Sequence, residues 1–170
     1  MKSLADAAGR EWIWSRPRIL TRRWELKAGD DVLATLDSLG LLGGGAKAST
    51  ATGRWRLHHV GLLRGRLEVL DEAGTEVVAT FRPGWFGAGT LEWGRRRLRW
   101  HRDDFWGRRW EFVDENGLSL VAFTRRPAFV RSTTTVEPTE AGRGCAELPL
   151  LVALGFQLLL VMQRQAHAGK

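Results

Sequence analysis

Side chains able to do chemistry are scattered along this chain, and only the arginines recur in groups. The histidines are His58, His59, His101 and His167. Metal or general-base work needs imidazoles that converge with carboxylates, and the spacing shows no such convergence. His58 and His101 instead sit at equivalent points of an internal repeat, which suggests a shared structural task. Asp103 and Asp104 precede Phe105 between two expected strands, the place of a turn rather than of an acid–base pair. The triple glycine 43–45 opens no helix and is followed by no Gly-Lys-Ser, so it is not a phosphate loop. No nucleophile elbow surrounds the Ser/Thr run 132–135. Cys145, the single cysteine, can form neither an internal disulfide nor a Cys-based metal cluster. Arg143 nearby would favour its thiolate, but with no histidine partner in view it reads as a bystander. The expectation is a chain that is not an enzyme, with no cofactor and no metal.

Basic groups are the better candidates. The chain carries 26 Lys+Arg against 19 Asp+Glu, a formal net charge of +7. Only Lys2, Lys27, Lys47 and Lys170 are lysines. Arginine grips phosphate with a planar fork and stacks on aromatic rings, so an anionic lipid or phosphorylated ligand fits this balance. The arginines taken as anion- or lipid-binding candidates are Arg16, Arg18, Arg95, Arg96, Arg97, Arg99, Arg125 and Arg126. Neighbours along a strand point to opposite faces, so a pair cannot lie wholly in one patch. Arg95, Arg96 and Arg97 fall at an expected turn, the most accessible placement. Trp85 and Phe86, on a loop between strands, form a candidate membrane-contact tip; the competing reading tucks that loop over the end of the fold. Nine Trp stand beside no Tyr. Most fall at alternating, inward strand positions, which argues against nucleic-acid binding by base stacking.

The elements that must position these residues follow a repeat. Trp24-Glu25, Leu67-Glu68 and Trp110-Glu111 are each 43 residues apart. Each opens a strand, a turn rich in Asp, Asn and Gly, and a returning strand, which is a strong hairpin signature. GRWRLHH (53–59) matches RRRLRWH (95–101) at about the same offset. Each unit is thus a meander of about four strands. Twelve strands are expected, at 11–15, 18–27, 31–37, 46–51, 54–59, 65–71, 75–82, 89–93, 96–102, 105–114, 118–124 and 128–136. Residues 137–147 read as a linker.

Residues 148–162 run LPLLVALGFQLLLVM, and a helix apolar on every side must be buried. At about 1.5 Å per residue the run spans roughly 22 Å, short of the roughly 30 Å of a bilayer core. A protein host is therefore expected, and the strands must supply it. Three meanders are too few to close a propeller but can close a twelve-stranded barrel. About eight strands is the limit that side chains alone can fill, so the helix is the natural plug. The expected fold is mainly β: an antiparallel, closed β-barrel of about twelve strands enclosing a C-terminal hydrophobic helix at 148–165. Pro149 suits its first turn. Residues 1–10 are expected to be a flexible N-terminus, 11–165 a single domain and 166–170 a tail.

The repeated meanders, FRPGWFGAGTLEW (81–93), FWGRRWEFVDENGLSLVAF (105–123) and the terminal apolar run together resemble the tubby-like superfamily. That group includes tubby C-terminal domains, LURP-one-related proteins and phospholipid scramblases. The resemblance covers roughly residues 11–165 and is architectural, with no catalytic string. It implies a phosphoinositide- or membrane-binding barrel. The calcium segment of scramblase-like members corresponds to 137–147 here, where Glu137, Glu140 and Glu147 make no dense carboxylate cluster, so no calcium site is carried over. The expected function is binding of anionic phospholipid headgroups, or of another anionic partner, at the cytoplasmic membrane face by a monomer. The alternative is a tail-anchored protein that uses 148–165 as its anchor and a cytosolic β-domain for protein contacts.

Overall fold

Period-two alternation of apolar and polar residues builds the wall of this molecule. The computed structural model describes residues 1–18, 20–40, 45–61, 65–127 and 132–169. Twelve strands follow in chain order: β1 Trp12–Ser15, β2 Arg23–Ala28, β3 Asp31–Ser38, β4 Ala46–Thr50, β5 Arg54–Val60 and β6 Arg66–Leu70, then β7 Val77–Pro83, β8 Gly89–Trp93, β9 Arg96–Arg102, β10 Arg109–Val113, β11 Ser119–Arg126 and β12 Thr133–Pro138. Each pairs antiparallel with its sequence neighbours, and β1 closes onto β12 through Trp12↔Val136 and Trp14↔Thr134. The result is a closed barrel with no free sheet edge.

The repeat persists in the geometry. The register slips at Leu26/Lys27, Val69/Leu70 and Phe112/Val113, three positions 43 residues apart. A bulge bends a strand and tightens its twist, so three equivalent bulges curve the wall three times. The units are β2–β5, β6–β9 and β10–β12, with the N-terminal β1 supplying the fourth strand of the last. Cross-strand neighbours recur as well: His58 faces Glu68 and His101 faces Glu111.

Helix α2, Leu148–Ala168, fills the lumen, with Pro149 in its first turn and no side-chain cap at Glu147. All residues from Leu150 to Leu160 are buried. Phe156 stacks on Trp14 at 4.6 Å and meets Trp24 edge-on at 5.1 Å. Trp14 Nε1 donates to the Val152 carbonyl at 3.3 Å. At Gly155 the ring of Phe123 occupies the space a Cβ would need. Inward residues such as Leu26, Leu36, Leu57, Val69, Leu91 and Leu98 complete the core.

Several boundaries differ from expectation. The strand expected at 18–27 begins at Arg23, after exposed Pro17, Arg18 and Leu20. The strand expected at 105–114 begins at Arg109. Its first residues form a turn because the Asp104 carboxylate accepts from the backbone N–H groups of Arg108 and Arg109. Part of the strand expected at 128–136 lies outside the described residues, and β12 runs from Thr133. The supposed linker 137–147 holds the end of β12 and a one-turn helix α1, Glu140–Arg143. Thr139 caps α1 by accepting from Gly142 N–H at 3.0 Å, a common side-chain service to an unpaired helix donor. The central helix runs three residues beyond the expected 165. At the other terminus, the lead-in expected to be flexible carries a 3-10 turn at Ala5–Ala7. Leu4 and Ala7 are buried there, and Trp12 Nε1 donates to the Ala7 carbonyl at 3.0 Å.

Candidate functional site

An up-and-down barrel sorts its loops by parity. Connections that leave odd-numbered strands gather at one rim, and those that leave even-numbered strands gather at the other. Helix α2 enters at the even rim, where Arg96 in β9 pairs with Glu147 at 3.2 Å. It emerges at the odd rim, where Arg164 Nη2 donates to Ser38 Oγ at 3.4 Å. The odd rim is therefore called the exit mouth.

This sorting separates the arginines that the sequence groups together. Arg16 and Arg18 follow β1 at the exit mouth, both exposed. The Arg16 guanidinium lies over the Trp24 ring at 4.4 Å, a cation–π contact that holds it against the rim. Arg125 and Arg126 end β11 at the same mouth. Arg126 pairs with Glu11 at 3.3 Å, whereas half-buried Arg125 has no ion pair among the described residues. Arg95, Arg96 and Arg97 lie at the opposite rim, but only Arg95 is in the β8–β9 turn; Arg96 and Arg97, expected in that turn, open β9 and pair with Trp93 and Glu92 across the ladder. Arg96 is consumed structurally: it contacts Glu115 at 3.5 Å and Glu147, and hydrogen bonding to Glu115 raises its pKa further. Arg97 pairs with Glu92 at 3.4 Å. Arg99 is exposed on the outer wall, midway along β9. The candidates thus form no single patch.

Arginines not singled out in the sequence complete the mouth. Arg22, Arg102 and Arg108 are exposed there, and none forms an ion pair among the described residues. Acidic groups at this rim are already engaged. Asp37 binds Arg23 at 2.7 Å, Glu68 binds Arg66 at 2.8 Å, and Asp103 binds Arg109 at 3.0 Å. Asp30, Glu76 and Asp114, without an ion pair among the described residues, lie instead in the turns of the even rim, where Asp114 accepts from the backbone N–H groups of Asn116 and Leu118. His59, just inside the mouth, has a buried Nε2 without a hydrogen-bond partner among the described residues. Burial first, then the Arg164 charge and that of His58, push its pKa down, so its imidazole stays neutral more readily than in water.

Large apolar side chains also stand out at this mouth. Trp85 is 70 % exposed and Phe86 93 %, in the β7–β8 loop. Phe105 is 86 % exposed and Trp106 78 %, in the β9–β10 loop. Trp85 and Phe86 are thus exposed, while Gly87 of the same loop lies against Met162 and Trp110. The second aromatic pair was hidden because its sequence context read as strand; its signal is Asp104, just before it, whose carboxylate closes a turn over the pair.

Two other recesses carry less charge. A groove of 630 Å³ on the outer wall is lined in part by Arg23, Asp37, Lys47, Arg54, Arg56 and Glu72. Arg23 and Arg54 there are neutralised by Asp37 and Glu72. A cleft of 420 Å³ at the even rim is lined by Leu4, Trp12, Thr52, Cys145, Leu148 and Pro149, among others. Its Cys145 thiol donates to Glu147 Oε2 at 2.6 Å, and Arg96, not Arg143, is the arginine in contact. Burial, then the Glu147 carboxylate, push this thiol up, the opposite of an activated nucleophile. No group of three or more His, Cys, Asp or Glu placed to hold a metal occurs among the described residues. Comparison of the chain with family models, with curated proteins and with solved structures gives no match.

Proposed function

We propose that this chain is a non-enzymatic barrel module that binds anionic phospholipid headgroups at the cytoplasmic face of a membrane. The observation that supports it is the charge asymmetry of the barrel ends. Arg16, Arg18, Arg22, Arg102 and Arg108 crown the exit mouth without a carboxylate partner among the described residues, while Asp30, Glu76 and Asp114 lie at the far rim. Each arginine near an anionic leaflet contributes about 1 kcal/mol, and the attraction fades within a Debye length. Co-sedimentation with vesicles tests this. Binding to vesicles containing phosphatidylserine, absent with phosphatidylcholine alone and weakened by salt, is expected. Equal and negligible binding to both at low salt overturns the proposal.

The competing reading makes α2 a tail anchor. This helix is long and apolar enough to cross a membrane, with mean hydropathy 1.4, but 67 % of that stretch is buried inside the barrel. An anchor would have to leave the barrel that covers its apolar surface here. Retention in a membrane pellet through carbonate washing would favour the anchor over peripheral binding.

A further inference from the structure

We infer that the exit mouth docks on the bilayer by inserting two aromatic loops, so that the barrel stands on the membrane by that end. This inference rests on the lipid reading above and adds the surface and orientation. The two loops are neighbours on the rim, since β8 and β9 are paired. Trp110 holds them together: its Nε1 donates to the Gly107 carbonyl in one loop at 3.3 Å. Its ring lies 3.0 Å from where a Cβ at Gly87 would stand in the other, with Met162 of α2 also against that position. The loops therefore rest on the helix and the core and have a rigid base.

Their tips point away from that base. Phe86 adopts φ 55 and ψ 33, a left-handed conformation that is unfavourable for a bulky residue. The strained backbone presents a phenyl ring that is almost wholly exposed. Phe105 and Trp106 pack only edge-to-face on one another, at 5.5 Å, and remain exposed. Leu20, 96 % exposed on the β1–β2 loop, belongs to the same mouth. Apolar tips ringed by unpaired arginines match the layering of an anionic leaflet, where phosphates lie above the acyl boundary. A protein groove would not require the surrounding positive charge. The occupant is therefore a phospholipid bilayer with anionic headgroups.

The test compares three full-length proteins on vesicles of phosphatidylcholine with phosphatidylserine. These are the unaltered chain, Phe86→Ser/Phe105→Ser, and Leu118→Ser. Leu118 is 54 % exposed in the β10–β11 turn at the far rim and serves as the control. All three sites are on the surface, and equal melting temperatures confirm folding. The expected result is partitioning roughly tenfold weaker or more for the double variant, with Leu118→Ser unchanged. Brominated acyl chains should also quench the fluorescence of the unaltered chain, and Trp85→Phe/Trp106→Phe should lose that quenching. Tight binding that the double phenylalanine change does not weaken overturns the insertion and leaves the lipid reading standing. Loss of binding on Leu118→Ser alone places the surface at the wrong end and overturns it too. No vesicle binding by the unaltered chain removes both.

Discussion

Gln157 is the residue whose environment is least expected from its chemistry. It lies mid-helix in the lumen at 0 % exposure, and neither its Oε1 nor its Nε2 has a hydrogen-bond partner among the described residues. An unsatisfied buried amide costs about 1–3 kcal/mol, and an apolar replacement of similar shape removes that cost. Gln157→Leu should therefore stabilise the protein by about 1–3 kcal/mol, read from the urea midpoint at unchanged slope. A destabilised variant would show that the amide is satisfied in solution. The arginines teach a different lesson at this scale. Arg96 and Arg126 look alike in sequence to Arg16 and Arg18, yet carboxylates from distant segments, Glu147 and Glu11, claim the first pair. Availability of a charge is set by partners that local sequence does not reveal.

Among the elements, α2 and β11 meet where size is most restricted. Gly155 lets the Phe123 ring lie against the helix backbone, and a methyl group there would collide with that ring. Glycine inside a helix is ordinarily unfavourable by about 1 kcal/mol against alanine, so Gly155→Ala ought to help if the helix stood alone. Packed as it is, overfilling should destabilise by about 1–3 kcal/mol. Thermal melting decides between the two signs, and a raised midpoint would mean that the helix does not seat against β11 in solution. Hairpins were the most legible elements, because the turn clusters AGDD, DEAG and DENG between alternating runs act locally. The turn expected at Asp103 and Asp104 runs on to Arg108, because the Asp104 side chain bonds forward to the backbone N–H groups of Arg108 and Arg109 and delays the strand that the alternating WEFV run announces.

For the molecule as a whole, wall and plug depend on one another. Among the described residues α2 is the apolar cover of the barrel's inner face and the barrel is the host of α2, so each half buries its surface against the other. Deleting residues 148–170 should leave a fragment that keeps β-structure in far-UV circular dichroism. It should also lose near-UV signal and a cooperative melt, the marks of a collapsed but unpacked chain. A fragment that melts cooperatively would argue instead for the tail-anchor reading. Chain order alone established the twelve strands, the 43-residue repeat and the buried helix, since strand alternation and an all-round apolar run are imposed by nearest neighbours and by water. Closure through β1, the split of the arginines between two ends and the meeting of the two aromatic loops at one mouth were decided only by the tertiary structure. Those features depend on which strand ends share a rim, and that is a property of the closed ring rather than of any segment in it.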